Sequence, residues 1–165
     1  MEKFRKFSRE TEKIFSEAVK TGDWEITLMF LEAGIDPNIQ DNYQYTALHD
    51  AVDNGRLAIA HLLLVMGADP NFKNTYGRTP LFFLKMDSPK MVELLLTYNA
   101  DPSVEDEHLE TPLYWYVIYP KSTEILLLAG VDPNIKNDYG KTLLDYVNQY
   151  KYPKVFRLLL RYGAK

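Results

Sequence analysis

Few side chains of this chain have the type and spacing that chemistry at a site would need. The chain has no cysteine, and its three histidines, His49, His61 and His108, are not spaced to share a metal ion. The acidic run Glu105–Glu107 with Glu110 lacks the alternating spacing and central glycine of a calcium loop. It is expected to be a solvated face or, alternatively, a patch for a basic partner. The sequence therefore predicts neither a metal nor a cofactor.

One short segment is similar to the end of a phosphate-binding loop, but it lacks the defining glycine. Gly140-Lys141-Thr142 would need a glycine five residues before Gly140, and Ile135 stands there. Thr142 instead aligns with three other threonines that are each predicted to begin a helix: Thr46, Thr79 and Thr111. No serine elbow, paired-histidine motif or glycine-rich nucleotide loop occurs. The chain is therefore expected not to be an enzyme.

An internal repeat organises the rest of the sequence. Asp-Pro recurs at Asp36, Asp69, Asp101 and Asp132, at spacings of 33, 32 and 31 residues. Each copy is accompanied by a leucine-rich segment, such as Leu62-Leu63-Leu64. A period of this length indicates a stack of identical supersecondary units.

The segment 41–73 shows what one unit contains. A polar segment leads to Thr46, a good N-cap residue for a first helix. Gly55 and Gly67 can adopt the left-handed conformation that ends the first and second helices. Helices this short are not stable alone in water, so each unit must pack against its neighbours.

With a polar finger, two helices and a Thr-Pro-Leu-His-like start, the chain resembles ankyrin-repeat proteins. The resemblance implies an all-α fold, an ankyrin-repeat solenoid of helix-turn-helix units joined by β-hairpin-like fingers. We expect an N-terminal extension at 1–10 and one ankyrin-repeat domain at 11–165. Its five predicted repeats, called repeats one to five below, are 11–40, 41–73, 74–105, 106–136 and 137–165.

Composition limits the class of partner and the cellular setting. The hydrophobic content of 46% is ample for a continuous core. The net charge of −4 argues against nucleic acid or an anionic membrane as a partner. No apolar run is long enough to span a membrane, and the N-terminus lacks the apolar core of a signal peptide. Together with the absence of cysteine, this predicts a cytoplasmic protein that is a monomer when free.

The histidine of the family motif is present only once. His49 occupies it and is expected to hydrogen-bond backbone near the start of its helix, whereas Phe82, Tyr114 and Asp145 stand at the equivalent positions. The polar network between neighbouring fingers is therefore expected to weaken across repeats three to five. The turn between the two helices is also shortened in repeats three and four, where Pro89 is expected at the first position of an outer helix.

The resemblance also implies where a partner binds. Ankyrin-repeat proteins typically recognise other proteins through the finger tips and inner helices, which form a concave face. Aromatic residues and arginine are enriched in interface cores. The predicted finger contacts are Tyr43, Tyr45, Tyr76, Arg78, His108, Glu110, Tyr139 and Lys141. The predicted inner-helix contacts are Asp53, Met86, Trp115, Tyr116, Tyr119 and Tyr150.

Two functions fit this organisation. The first is a non-catalytic module that binds a partner protein through its concave face, as an inhibitor, an immunity protein or a sequestering protein. The second is a self-associating scaffold element whose exposed surface pairs with another copy. Light scattering of the purified chain separates the two.

Overall fold

Ten helical elements follow one another along the described part of the chain. The structure is a computed structural model that describes residues 7–147 and 151–165. The elements are α1 (Arg9–Thr21), α2 (Trp24–Glu32), α3 (Ala47–Asp53), α4 (Leu57–Val65), a 3-10 helix (Pro80–Phe82), α5 (Pro89–Thr97), α6 (Pro112–Trp115), α7 (Pro120–Leu128), α8 (Leu143–Tyr146) and α9 (Pro153–Arg161).

These elements form five pairs, each with an inner and an outer member, and one pair falls in each predicted repeat. The outer helices α2, α4, α5, α7 and α9 pack in that order, each against the next. Gly55 and Gly67, which follow α3 and α4, have φ of 67° and 93°, so both adopt the predicted left-handed conformation. Among the described residues there is no named strand, and the helical solenoid is confirmed.

The first helix is longer than the other inner helices. It begins at Arg9, two residues before the predicted boundary, and Ser8 caps it by accepting from the Thr11 amide at 3.2 Å. Phe7 packs against the core. Because α1 covers the positions that fold as a finger in later repeats, the first repeat has no finger.

The inner elements shrink along the chain. They have 13 and 7 residues in the first two pairs, but 3, 4 and 4 in the last three. In the third and fourth pairs the outer helix begins at a proline, Pro89 or Pro120, and proline disfavours helical backbone in the residue before it. The shortened turns therefore leave room for only a single inner turn.

Buried side chains form one continuous core that runs through all five pairs. Leu63, Leu95, Leu126 and Leu159 occupy equivalent positions on successive outer helices, and all four are fully buried. Inner elements contribute Leu48, Leu81 and Leu113 at equivalent positions, and Leu143 one position earlier in its repeat. Each pair thus buries its apolar face against its neighbours, as expected for a solenoid.

Candidate partner-binding surface

Four fingers share one internal hydrogen-bond pattern. The first side chain of each finger accepts from the amides of the third and fifth residues. In finger two, Asp41 Oδ1 accepts from Tyr43 and Tyr45 at 2.8 and 2.9 Å. The same pairs of bonds are made by Asn74, Asp106 and Asn137. A short polar residue at this position therefore folds each finger locally.

The fingers are also joined to one another by backbone hydrogen bonds. The carbonyl of the third residue accepts from the next finger, as Tyr43 does from Thr75 at 3.1 Å, and Tyr76 and His108 accept in the same way. The only bridge of strand type in the described residues joins Gln40 and Thr46. The fingers thus form a ladder of tight, hairpin-like turns.

This ladder places the third residues at the edge of the stack. Tyr43, Tyr76, His108 and Tyr139 are all exposed, and the polar contact His108 makes is with Asp138. Nδ1 of His108 lies 3.1 Å from Asp138 Oδ2, and this contact raises the pKa of His108 above its ordinary value. Three tyrosine rings are therefore free to contact another molecule.

A second row of side chains lies on the inner elements. Asp50, Phe83, Trp115 and Tyr146 each follow the aligned threonine by four residues. Finger side chains stack on this row: the Tyr45 ring lies 5.2 Å from that of Phe83, and the Arg78 guanidinium lies 4.3 Å from that of Trp115. The fifth residue of a finger thus covers one edge of the ring that belongs to the following repeat.

Arg78 is held in place on three sides. Its Nε donates to Asp106 Oδ2 at 2.9 Å, and this carboxylate is fully buried. The guanidinium also lies 5.9 Å from the Tyr76 ring, beside the Trp115 contact. Arg78 therefore links two fingers and one inner helix, and its guanidinium holds the Tyr76 and Trp115 rings in place.

Two predicted contacts have internal roles. Tyr116 is fully buried, and its hydroxyl donates to the Leu81 carbonyl. Burial raises its pKa well above the ordinary value. Tyr116 is therefore a packing residue, and assigning it to the surface was wrong. Tyr119 is half-buried and its hydroxyl donates to the Lys85 carbonyl. Tyr150 lies outside the described residues.

The remaining predicted contacts lie beside these rows. Met86 is exposed next to the inner row, and half-buried Asp53 pairs with Lys85 at 2.8 Å. Lys141 is exposed, whereas Glu110 is half-buried and accepts from the Asn137 side chain at 3.0 Å.

Sequence reasoning missed two exposed residues on this face, Tyr146 and Ile118. Tyr146 accepts a hydrogen bond from Asn137 at 3.0 Å and packs against the Tyr114 ring. Counting from the aligned threonine would have found both, since Tyr146 shares the position of Trp115 and Ile118 that of Met86.

The family histidine connects its helix to the next finger. His49 is buried; its Nδ1 accepts from the Thr46 amide at 3.1 Å, and its Nε2 lies 3.1 Å from the Arg78 carbonyl. A carbonyl only accepts, so Nε2 carries the proton and the ring is neutral. Burial lowers the pKa of His49 to about 4.

At the corresponding position in repeat four, a tyrosine spans the same gap. The Tyr114 hydroxyl lies 2.7 Å from the carbonyl of Lys141 in the following finger. Lys141 holds the same finger position as Arg78, which His49 contacts. Burial raises the pKa of Tyr114 to about 12. The expected weakening of the network is therefore wrong between repeats four and five. It holds at Phe82, which has no polar side-chain atom.

A cleft of about 770 Å³ opens between α1 and finger two, where the first repeat lacks a finger. At its floor, Asp50 Oδ2 accepts from the Ser16 hydroxyl at 3.1 Å and pairs with Lys20 at 3.4 Å. Burial raises the pKa of Asp50. The serine donates to a carboxylate that Lys20 also holds, so these groups form an ion-pair network between α1 and α3.

Neither a metal cluster nor a membrane span is found where the structure describes the chain. Over residues 7–147 and 151–165, no group of three or more metal-binding side chains comes together. In the same ranges, no helix has the length and apolar character that crossing a bilayer requires.

Comparison with known families identifies the class of protein. A model of ankyrin repeats in many copies matches residues 31–81, and a model of three ankyrin repeats matches residues 60–137. The chain belongs to the ankyrin-repeat family. Ankyrin repeats are generally protein–protein interaction modules and typically non-catalytic. A comparison with curated proteins found no significant match.

Proposed function

We propose that this chain binds a partner protein through a concave surface made of its finger tips and inner elements. The observation that carries the proposal is where the exposed rings lie. Among described residues, five of the six exposed aromatic side chains are on this face: Tyr43, Tyr76, Trp115, Tyr139 and Tyr146. The sixth, Trp24, begins the outer helix α2.

The exposed aromatic rings are suited to binding because they are rigid and are held on a rigid frame. Aromatic side chains bury a large area while losing little conformational entropy, so they dominate interface energetics. Here the frame is fixed before a partner arrives, because the finger ladder orients Tyr43 and Tyr76 and the Arg78 guanidinium braces Trp115. We infer that the binding energy is concentrated in these few anchors.

The proposed function is binding without catalysis. A module that only binds acts by covering or holding its partner, so the chain would serve as an inhibitor, an immunity protein or a sequestering protein. Self-association as a scaffold element, the alternative function, would use a different surface.

The test begins by capturing the partner with the wild-type chain and identifying it by mass spectrometry. Titration calorimetry then compares Trp115→Ala with Trp24→Ala, a matched control because the two rings are 44% and 43% exposed. Trp115→Ala should weaken binding by about 1 to 3 kcal/mol, since truncating an interface ring removes an anchor. Trp24→Ala should bind like wild type. The reverse outcome would place the interface on the outer helices.

Finger variants extend the test along the stack. Tyr43→Ala and Tyr139→Ala should each weaken binding and leave the melting temperature unchanged, because both rings project from the ladder. Arg157→Ala, on the exposed side of α9, should leave affinity unaltered. If the tyrosine variants melt well below the wild type, these rings are packing residues and do not belong to the site.

A further inference from the structure

The N-terminal end of the solenoid exposes three apolar side chains whose counterparts in the next repeat are buried. Ile26 is 37% exposed, whereas Ile59, its counterpart on α4, is 2% exposed. Met29 is 54% exposed, and its counterpart Leu62 is 6% exposed. Ile14 on α1 is exposed as well, while the equivalent Ala47 is buried. We call Ile14, Ile26 and Met29 the N-terminal end face.

The same comparison holds throughout the stack. The counterparts of Ile26 in repeats three to five, Met91, Ser122 and Val155, are all buried. The counterparts of Met29 in repeats three to five, Leu94, Ile125 and Leu158, are half-buried. The positions of Ile26 and Met29 are therefore more covered in every later repeat than at the start of the stack. In ordinary solenoids such an end is made polar, and here it is apolar.

The C-terminal end carries the complementary exposure. Leu160 on α9 is 48% exposed, whereas Leu64, its counterpart on α4, is 4% exposed and faces the next repeat. Phe156, one helical turn away, is half-buried, although its counterpart Ala60 is buried. We call Phe156 and Leu160 the C-terminal end face. The described residues thus leave exposed one face that is buried by a preceding repeat elsewhere in the stack and one that is buried by a following repeat.

The two ends also carry opposite charge. Repeat one (11–40) holds six acidic and two basic side chains, a formal charge of −4, while repeat five (137–165) holds two acidic and six basic side chains, a formal charge of +4. Residues 1–10 add a formal charge of +2 to the N-terminal end. Opposite charges of this size favour pairing of unlike ends and oppose pairing of like ends.

The repeat register predicts which charges would meet. Arg161 on α9 lies 3.7 Å from Glu124 on α7. Arg161 stands two residues before the glycine that closes its repeat, and Glu124 stands six residues before the glycine that closes the preceding repeat. Applied one repeat further, this rule brings Glu32 of a second copy to Arg157, which is exposed on α9. The pair has the same chemistry with the two signs exchanged.

From these observations we propose that the chain associates head to tail, with the N-terminal end face of one copy stacked on the C-terminal end face of another so that the solenoid continues. The contact is heterologous, so it does not close and can extend to further copies. It leaves the concave surface free and stands whether or not the proposed partner binding is correct.

The decisive experiment uses two variants that each spoil one end. Met29→Asp and Leu160→Asp place a carboxylate on a face that must be dry in the complex. Sedimentation of the wild-type chain should show association that grows with concentration into the millimolar range. Each variant alone should associate at least about tenfold more weakly, as expected when a contact loses roughly 1.4 kcal/mol. A mixture of the two should form a dimer and nothing larger, because it retains one intact pair of ends.

Charge reversal supplies an independent check at exposed positions. Glu32→Arg and Arg157→Glu should each weaken association, and the chain carrying both should associate like wild type. Circular dichroism of all variants should match the wild type. Trp115→Ala, on the concave face, is the control and should leave association unchanged.

Three results would overturn the proposal. A wild-type chain that stays monomeric is the first, including the case where a chain lacking residues 1–6 associates and the wild type does not. The second is loss of association in Met29→Asp but not in Leu160→Asp, which would mean that like ends pair. The third is a mixture of the two Asp variants that forms no dimer.

Discussion

Acidification should destabilise this protein through one buried histidine. In the folded chain, His49 is neutral, with Nδ1 accepting from the Thr46 amide and the Nε2 proton directed at the Arg78 carbonyl. Protonating Nδ1 would remove the acceptor and place an uncompensated charge beside the Phe83 ring, 5.6 Å away. Burial lowers the pKa of His49 and outweighs the hydrogen bond to the Arg78 backbone and the charge of Asp41, which both raise it.

The size of the effect follows from the two pKa values. Burial lowers the pKa of His49 from 6.5 to about 4. Between these values the unfolded chain binds more protons than the folded one, so the free energy of unfolding falls as the pH falls. The full difference of two and a half pKa steps corresponds to about 3 kcal/mol, and about 2 kcal/mol of it is lost by pH 5. Above pH 6.5 the contribution is fully present.

Urea unfolding at several pH values between 5 and 7.5 measures this effect, with His49→Phe as the matched variant. Phenylalanine stands naturally at the equivalent position, Phe82, so the substitution removes the titration and keeps a ring in place. The contact with Asp138 raises the pKa of His108, so its contribution has the opposite sign, and it is common to both chains. If wild type and His49→Phe lose stability equally on acidification, the buried neutral histidine is refuted as the cause.

Five further substitutions test the packing and turns. Ser103 stands where repeat two has Asn71, whose side chain bridges two backbone groups of the next repeat, whereas Ser103 makes only the local turn. Ser103→Asn should therefore stabilise the chain by about 1 kcal/mol in urea melts, and Asn71→Ala should destabilise it by as much. Leu109→Gly should stabilise by about 0.5 to 1 kcal/mol, since Leu109 has φ of 59°, and Gly140→Ala should do the opposite. Leu63→Ala should cost roughly 2 to 5 kcal/mol in the same melts, and a cost below about 0.5 kcal/mol would contradict its burial.

The stack could be predicted from sequence because its signal is repeated. Leu63 alone is one apolar residue among many, but with Leu95, Leu126 and Leu159 at matching positions it fixes which side of every outer helix is buried. The finger turns followed in the same way, since a short polar residue begins each one. Errors of register do not accumulate, because every Asp-Pro pair resets the count.

The contacts of individual rings could not be predicted in this way. Tyr116 is fully buried, and its hydroxyl donates to the Leu81 carbonyl of the preceding repeat. Tyr114 replaces a histidine, yet its longer reach makes a hydrogen bond to the next finger. Both outcomes depend on distances between repeats, which a sequence pattern does not contain.

The same repeat position has different physical consequences in the middle and at the ends of the stack, and this distinction separates the two proposed surfaces. Trp115 is exposed at a position that faces the groove in the middle of the solenoid, so its exposure reflects the concave surface itself. Met29 is exposed whereas its counterpart Leu62 in the next repeat is buried, so its exposure belongs to the end of the described stack. A substitution at Trp115 should therefore change partner affinity without changing self-association, and a substitution at Met29 should do the reverse.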